Sequence, residues 1–204
     1  MNQIVFYLHG FASSADSTKI AVLREHFSGT DIHFVAENYN TYDPNVAHTE
    51  INALIAANQT ADQAPIFVGT SLGGYWAYYF AAKYRGHVVL ANPSLFPTES
   101  LGKFLQADGS YTSFSGEEFV FIQQMVDDYQ NYPLDNKPTS GIVLLNTGDE
   151  LIGHTFPRVE QQLKDVATIQ YLIGGNHRFE NIDDLITAIE QVAKKLAKGA
   201  DTHC

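Results

Sequence analysis

One stretch constrains this chain more than any other: Ile66-Phe67-Val68-Gly69-Thr70-Ser71-Leu72-Gly73-Gly74-Tyr75-Trp76. An apolar, strand-like run ends in Gly-x-Ser-x-Gly, and a run compatible with a long helix follows. A strand–turn–helix of this kind lifts a serine hydroxyl above the C-terminal edge of a parallel sheet. The turn holds Ser71 in a strained backbone conformation, and it closes only where Gly69 and Gly73 carry no Cβ to clash with the adjoining strand and helix. The backbone N–H of Leu72 then sits at the positive end of the new helix, where a developing oxyanion is stabilised. An incidental serine in a strand–turn–helix has the same local pattern. The distinction therefore turns on whether the rest of the chain supplies partners for that serine.

The elements on either side have the right rhythm. Continuous or near-continuous apolar runs at 4–8, 32–36, 65–68, 88–91, 142–146 and 169–172 read as strands buried on both faces. Helical spacing appears at Ile20, Leu23 and Phe27, with Gly29 as a stop. It recurs after the helix start Asp43-Pro44 at Ile51, Leu54 and Ile55. Residues 72–84 are apolar nearly all round, as in a helix deeply buried against a sheet. The closing helix, about 183–196, carries Leu185, Ile186, Ile189, Val192 and Leu196 on one side, with acids in its first turn and lysines in its last. Alternating strands and helices predict an α/β fold: a compact, mostly parallel sheet of about six strands with helices on both faces. With 204 residues there is room for a single domain, 1–204. The exception to the rhythm is 93–140, too long for a bare connection. Spacing at Phe119, Ile122, Val126 and Tyr129 predicts a helix there, and the stretch reads as a helical cap insertion over the active-site edge. Residues 198–204 read as a flexible tail.

Composition excludes several classes. No apolar run approaches the roughly 20 residues that cross a bilayer, and Met1-Asn2-Gln3 lacks the basic region of a secretory signal. A cytoplasmic protein without membrane association is expected. The formal net charge of −11 argues against nucleic acid and anionic surfaces as partners. The single Cys204 permits no intrachain disulfide, no His/Cys/Asp/Glu cluster has metal-ligand spacing, and no glycine-rich phosphate loop occurs. No metal and no cofactor are expected. Composition leaves the oligomeric state open.

Partners for the serine do exist. A serine hydroxyl needs a base to take its proton, and the base needs an orienting acid; in α/β hydrolases these follow in the order serine, acid, histidine. Thr147-Gly148-Asp149-Glu150 leaves the fifth strand on the same edge as Ser71. Asp149 is the candidate acid, since it leaves the strand first and has an apolar anchor at Ile152. Glu150 competes, and either carboxylate also fits a helix cap. Gly174-Gly175-Asn176-His177 follows the sixth strand, and His177 is the candidate base. His87 precedes the acid, His203 lies in the tail, and His154 is too near Asp149 to follow a further strand. The second oxyanion donor is expected at the end of the first strand, Leu8-His9-Gly10-Phe11. There the Phe11 N–H would join that of Leu72, Gly10 would admit the substrate carbonyl, and His9 would hold the loop.

Taken together, Tyr7-Leu8-His9-Gly10-Phe11 with Ser13-Ser14, Gly69-Thr70-Ser71-Leu72-Gly73-Gly74-Tyr75, Asn92-Pro93-Ser94, Thr147-Gly148-Asp149-Glu150 and Gly174-Gly175-Asn176-His177-Arg178-Phe179 resemble the small bacterial α/β-hydrolase esterases of the YqiA/YcfP type. The resemblance implies carboxyl-ester or thioester hydrolysis by Ser71, Asp149 and His177, acting on a small-molecule acyl ester. A small peptidase could use the same machinery, and a non-catalytic binding protein could keep the fold. The insertion holds seven acids against Lys103 and Lys137, together with Phe96, Phe104, Tyr111, Phe114, Phe119, Phe121, Tyr129 and Tyr132. A pocket under it is expected to be apolar and to favour neutral acyl esters over polyphosphate-bearing ones, unless Lys103, Lys137, Arg158 and Arg178 converge at its mouth.

Overall fold

A computed structural model of the chain describes residues 3–59, 64–113 and 116–201, with residues 199–201 by backbone alone. Strand β1 (Gln3–Leu8) leads through helix α1 (Thr18–Phe27), β2 (Ile32–Val35), α2 (Pro44–Asn58) and β3 (Ile66–Ser71) into α3 (Leu72–Lys83) and β4 (His87–Pro93). A mixed segment follows: α4 (Pro97–Ser100), a 3-10 turn at Gly102–Phe104, β5 (Ser110–Thr112), β6 (Glu118–Val120), α5 (Gln123–Asp127) and a second 3-10 turn at Asp128–Asn131. Strand β7 (Ser140–Asn146), a 3-10 turn at Gly153–Thr155, α6 (Phe156–Leu163), β8 (Ala167–Leu172) and α7 (Ile182–Asp201) complete the described chain.

The six long strands form one sheet in the order β2-β1-β3-β4-β7-β8, every pairing parallel. From β1 the chain moves outward to β2, then returns to place β3 on the other side. That reversal opens a crevice beyond the C-terminal ends of β1 and β3, the usual ligand position in open α/β sheets. Strand alternation divides the core in two. Phe6, Leu8 and Phe67 pack with Trp76 and Phe80 of α3 on one face, and Val5, Tyr7, Ile66 and Val68 pack with Leu185 and Ile189 of α7 on the other. Helix α2 starts as its sequence dictates: the Asp43 carboxylate accepts from the N–H groups of Asn45 and Val46, and Pro44 occupies the first turn. Among the described residues no helix is long and apolar enough to cross a membrane.

Two expectations need correction. The insertion is not simply helical: β5 and β6 form an antiparallel hairpin, and Phe119 belongs to β6. Along β6, Glu118 and Val120 are exposed while Phe119 turns inward, a two-residue period that the coincidental spacing to Ile122 and Val126 concealed. Helix begins only at Gln123, and Ile122 stays 43% exposed. Phe114 lies outside the described residues. At the C-terminus, α7 does not end near Leu196 but continues to Asp201, since Ala197 and Lys198 are good helix formers. Residues 202–204, with His203 and Cys204, lie outside the described part.

The turn between β3 and α3 is closed by backbone contact. A Cβ built on Gly73 would lie 1.9 Å from the Leu8 carbonyl oxygen, and one on Gly69 would lie 2.1 Å from that of Gly73. Neither neighbour is a flexible side-chain end, so the strand and helix would have to separate. Gly73→Ala is expected to cost at least about 3 kcal/mol, beyond ordinary overpacking. At about 2–4 °C per kcal/mol for a domain of this size, a thermal melt should show the loss. A melt within 2 °C of the parent, on the order of 1 kcal/mol or less, would contradict the steric account.

Candidate active site

Ser71 ends β3 with φ 55° and ψ −124°, a conformation that costs a non-glycine residue about 1–3 kcal/mol. It persists because the register of β3 against β4 shifts at Thr70/Ser71 and because the carbonyl of Ser71 accepts the Ser94 N–H at 2.9 Å. The hydroxyl is thereby presented on the C-terminal edge of the sheet, half-buried at the crevice.

His177 reaches this hydroxyl from the loop after β8. Its Nε2 lies 2.9 Å from Ser71 Oγ, and its Nδ1 lies 2.9 Å from Asp149 Oδ2. A carboxylate only accepts, so Nδ1 carries the proton and Nε2 is left to accept from the serine hydroxyl. Asp149 is buried. Its other oxygen, Oδ1, accepts the N–H groups of Leu151 and Ile152, each at 2.9 Å. Burial pushes its carboxyl towards protonation, but the hydrogen bond from His177 and these backbone donors outweigh it and hold the pKa below the ordinary carboxylate value. Such a carboxylate stays ionised and fixes the imidazole tautomer.

Glu150, the competing acid, does different work: its Oε2 accepts the backbone N–H of His177 at 3.0 Å. The structure thus brings Ser71, His177 and Asp149 into one line of hydrogen bonds and assigns Glu150 to the loop. His154 sits exposed on the 3-10 turn, and His87 bonds to Ser140 at the far edge of the sheet. Gly10 lies against the elbow, where an added Cβ would stand 3.3 Å from Ser71 Cβ and 3.8 Å from its hydroxyl. The neighbouring Phe11 N–H and the first helical N–H, Leu72, lie beside the serine, and among the described residues neither has an acceptor. Among the described residues, no group of three or more His, Cys, Asp or Glu could hold a metal ion.

Three asparagines escaped the sequence reading as functional residues. Asn92, at φ 42°, accepts the Asn146 N–H on Oδ1 at 2.8 Å and donates from Nδ2 to the Asn176 carbonyl at 2.9 Å. Asn146 Nδ2 donates to the same carbonyl at 3.1 Å. The loop ahead of His177 is thus tied to the ends of β4 and β7. Its glycine leaves no slack: a Cβ on Gly175 would sit 2.5 Å from the Asn146 amide. The sequence offers one weak signal, an asparagine at the end of an apolar strand, twice; only the structure shows both to be fully buried on the same edge.

The chain belongs to the uncharacterised protein family UPF0227. Residues 4–194 match that family. A UPF0227 protein of Vibrio cholerae serotype O1 is 25% identical over 189 residues, 92% of this chain and 97% of the relative. The UPF0227 protein YcfP of Escherichia coli O9:H4 is 25% identical over 191 residues, again 92% of this chain and 97% of the relative. Among solved structures, Est1E from Butyrivibrio proteoclasticus, with ferulic acid bound, superposes with a TM-score of 0.74 at 14% identity, covering 96% of this chain and 90% of that one. The family member described here therefore has the α/β-hydrolase fold.

Two spaces meet at Ser71. On one side is a cavity of about 110 Å³, walled by Leu72, Leu101, Phe104, Tyr111 and Ile152 among others; on the other is an open cleft of about 630 Å³ bounded by Tyr7, Lys19, Thr70, Glu150 and Arg178 among others. The four cations whose convergence would have made a basic mouth do not come together. Lys137 pairs with Asp165 and Arg158 with Glu99, both on the surface, while Lys103 borders the cavity and Arg178 the cleft.

His9 is 97% buried, its ring stacked on Tyr39 at 4.4 Å, and its backbone carbonyl accepts the Tyr39 hydroxyl. Burial lowers its pKa to about 4, against weaker opposing effects of the Gly10 carbonyl and Asp16. Because the folded pKa lies below the unfolded one, stability is full above the unfolded value of 6.5 and falls as pH drops towards about 4. The loss over that window is on the order of 3 kcal/mol. Urea unfolding of the wild type and His9→Asn at pH 7.5 and pH 4.5 tests this: the variant should lose distinctly less stability between the two pH values. Equal losses would place the titrating group elsewhere.

Proposed function

We propose that this protein is a serine esterase that cleaves small acyl esters through an acyl-enzyme. Ser71 Oγ attacks the ester carbonyl while His177 Nε2 takes the hydroxyl proton. The Phe11 and Leu72 N–H groups receive the negative charge that develops on the carbonyl oxygen. The tetrahedral adduct collapses, the alkoxide leaves with the proton held by His177, and the acyl group remains on Ser71. Water then gives its proton to His177 and attacks the acyl carbon, releasing the carboxylic acid and restoring the serine. Asp149 keeps the proton on Nδ1 and stabilises the imidazolium that forms in each half.

The observation that carries the reading is the pair of 2.9 Å hydrogen bonds joining Ser71, His177 and Asp149 at a strained strand–helix turn. Strain at Ser71 and a buried carboxylate on the imidazole both cost stability, and a module that only binds needs neither. The solved esterase domain of a Rhodothermus marinus protein shares the fold, with a TM-score of 0.65 at 14% identity, and supports the same class.

A fluorophosphonate probe should modify Ser71, and Ser71→Ala should abolish both labelling and hydrolysis of p-nitrophenyl butyrate. Loss of such a nucleophile typically costs about 10⁴ to 10⁶ in turnover. An unlabelled Ser71, or full activity in the alanine variant, would end the esterase reading.

The two carboxylates separate cleanly. Asp149→Asn leaves the wrong tautomer on His177 and should lower kcat by about 10⁴. Glu150→Gln keeps an oxygen that accepts the His177 N–H and should stay within about threefold of the parent, roughly the worth of a weakened hydrogen bond. The reverse ranking in steady-state kinetics would move the acid to Glu150.

A further inference from the structure

The cavity beside Ser71 is small, and one part of it is polar. At about 30 Å³ for each water-sized group, its 110 Å³ is filled by roughly four non-hydrogen atoms. The cleft on the other side is several times larger and open. An acyl chain that must end inside the protein suits the first; an alcohol of any length suits the second. Most of the cavity wall is hydrocarbon, but Ser94 and Ser100 also line it, and their hydroxyl oxygens lie 2.6 Å apart. Ser94 is buried and fixed by its N–H to the Ser71 carbonyl, and Ser100 ends α4 with its N–H on the Phe96 carbonyl. Two hydroxyls carry two protons, and the bond between them uses one. Among the described residues neither hydroxyl has another protein partner. One O–H in the acyl cavity is therefore left without an acceptor. Chains of hydroxyls polarise one another, so that donor is a good one.

We infer, on the esterase reading, that the acyl group this site takes is a short one of about four carbons bearing its own oxygen acceptor, a hydroxy- or oxo-acyl group whose oxygen meets the Ser94–Ser100 pair. A purely hydrocarbon chain of the same length fills the volume, displaces water and leaves the hydroxyl unmatched. A long chain does not fit. A terminal carboxylate would have to be met by Lys103, whose Nζ borders the same cavity but is engaged with the Leu151 carbonyl at 3.3 Å and lies over the Phe104 ring. The hydroxyl pair is the better placed recogniser because Ser94 is buried, Ser100 is half-buried, and each is fixed by its backbone N–H and by the other's hydroxyl.

The test is kcat/KM for the p-nitrophenyl esters of butyric, 3-hydroxybutyric (each enantiomer), octanoic and succinic acids. One enantiomer of the hydroxy ester should exceed butyrate by about tenfold, the scale of one well-formed hydrogen bond in a specificity pocket, and octanoate should fall below butyrate. In the double variant Ser94→Ala/Ser100→Ala, which removes both hydroxyls, the ratio of hydroxybutyrate to butyrate should drop to near one, whatever happens to either rate alone. Ser94→Cys/Ser100→Cys, which keeps the shape with weak donors, should lower the ratio in the same direction and serves if the alanine variant does not fold. A wild-type ratio near one, a ratio unchanged in a folded double variant, or a preference for octanoate would overturn the acyl assignment. Succinate as the fastest ester would transfer recognition to Lys103 and overturn it as well. If butyrate is hydrolysed and the fluorophosphonate labels Ser71, such results leave the esterase reading standing; no turnover and no label would remove both.

Discussion

Everything at the candidate site depends on how closely the backbone of α3 approaches β1 and β3. That approach is possible only without Cβ atoms at Gly69 and Gly73, each of which would otherwise sit about 2 Å from a carbonyl oxygen. Close contact has three consequences at once. It bends the chain sharply enough to force Ser71 to positive φ. It points the unpaired N–H at the start of α3 towards the same space as the serine. It also brings the end of β1, with Gly10 and Phe11, within reach of that space. The sheet order supplies the location, since the crevice where strand order reverses lies between β1 and β3.

A second constraint acts from the other side of the crevice. His177 stands on a loop, and a loop alone does not hold an imidazole at hydrogen-bonding distance from a serine. Here the loop is pinned by Asn92 and Asn146 through the Asn176 carbonyl, by Glu150 through the His177 N–H, and by Lys19, whose ammonium donates to the Arg178 carbonyl at 2.6 Å. Burial lowers the pKa of that lysine to about 8 despite the opposing field of Glu180. Four side chains from three parts of the chain thus fix one backbone segment. The buried Asn92 amide is paired at both ends by these bonds, and leaving it unpaired would cost about 1–3 kcal/mol.

The parts of this structure that were legible beforehand are those whose physics is local. Strand and helix periods located the six sheet strands to within a few residues, and Asp43-Pro44 marked the start of α2. Gly69 and Gly73 marked the turn because a sharp strand-to-helix bend requires them. That a carboxylate at 149 or 150 and the imidazole of His177 come to the same sheet edge as Ser71 was legible from chain order and from their position just past strand ends. What was not legible depends on partners distant in sequence. Asn92 and Asn146 look like ordinary strand-end residues until β4, β7 and the loop after β8 are brought together. Glu150 is told apart from Asp149 only by which part of His177 each one reaches. The hairpin at Ser110–Thr112 and Glu118–Val120 escaped because three-residue strands carry too short an alternation to outweigh a chance helical spacing through Phe119 and Val126.

That hairpin bears on the site in a way its position over the sheet edge does not reveal. The side chain of Phe11 packs among Phe104, Tyr111, Phe119 and Phe121, at ring separations of 5.3, 5.3, 6.2 and 4.9 Å. These four rings come from the mixed segment between β4 and β7, and two of them, Phe104 and Tyr111, also wall the small cavity. The backbone N–H of the same Phe11 is the proposed second donor to the oxyanion. Side chain and amide belong to one residue, so the aromatic cluster that sets the volume of the acyl cavity also sets the angle of that donor. Aromatic pairs of this kind contribute about 0.5–1.5 kcal/mol each beyond burial, enough together to hold a short loop in one orientation. Shape of the acyl cavity and position of the oxyanion donor are therefore not independent variables in this fold. A change that enlarges the cavity by removing one of these rings also loosens Phe11, and its effect on turnover carries both terms.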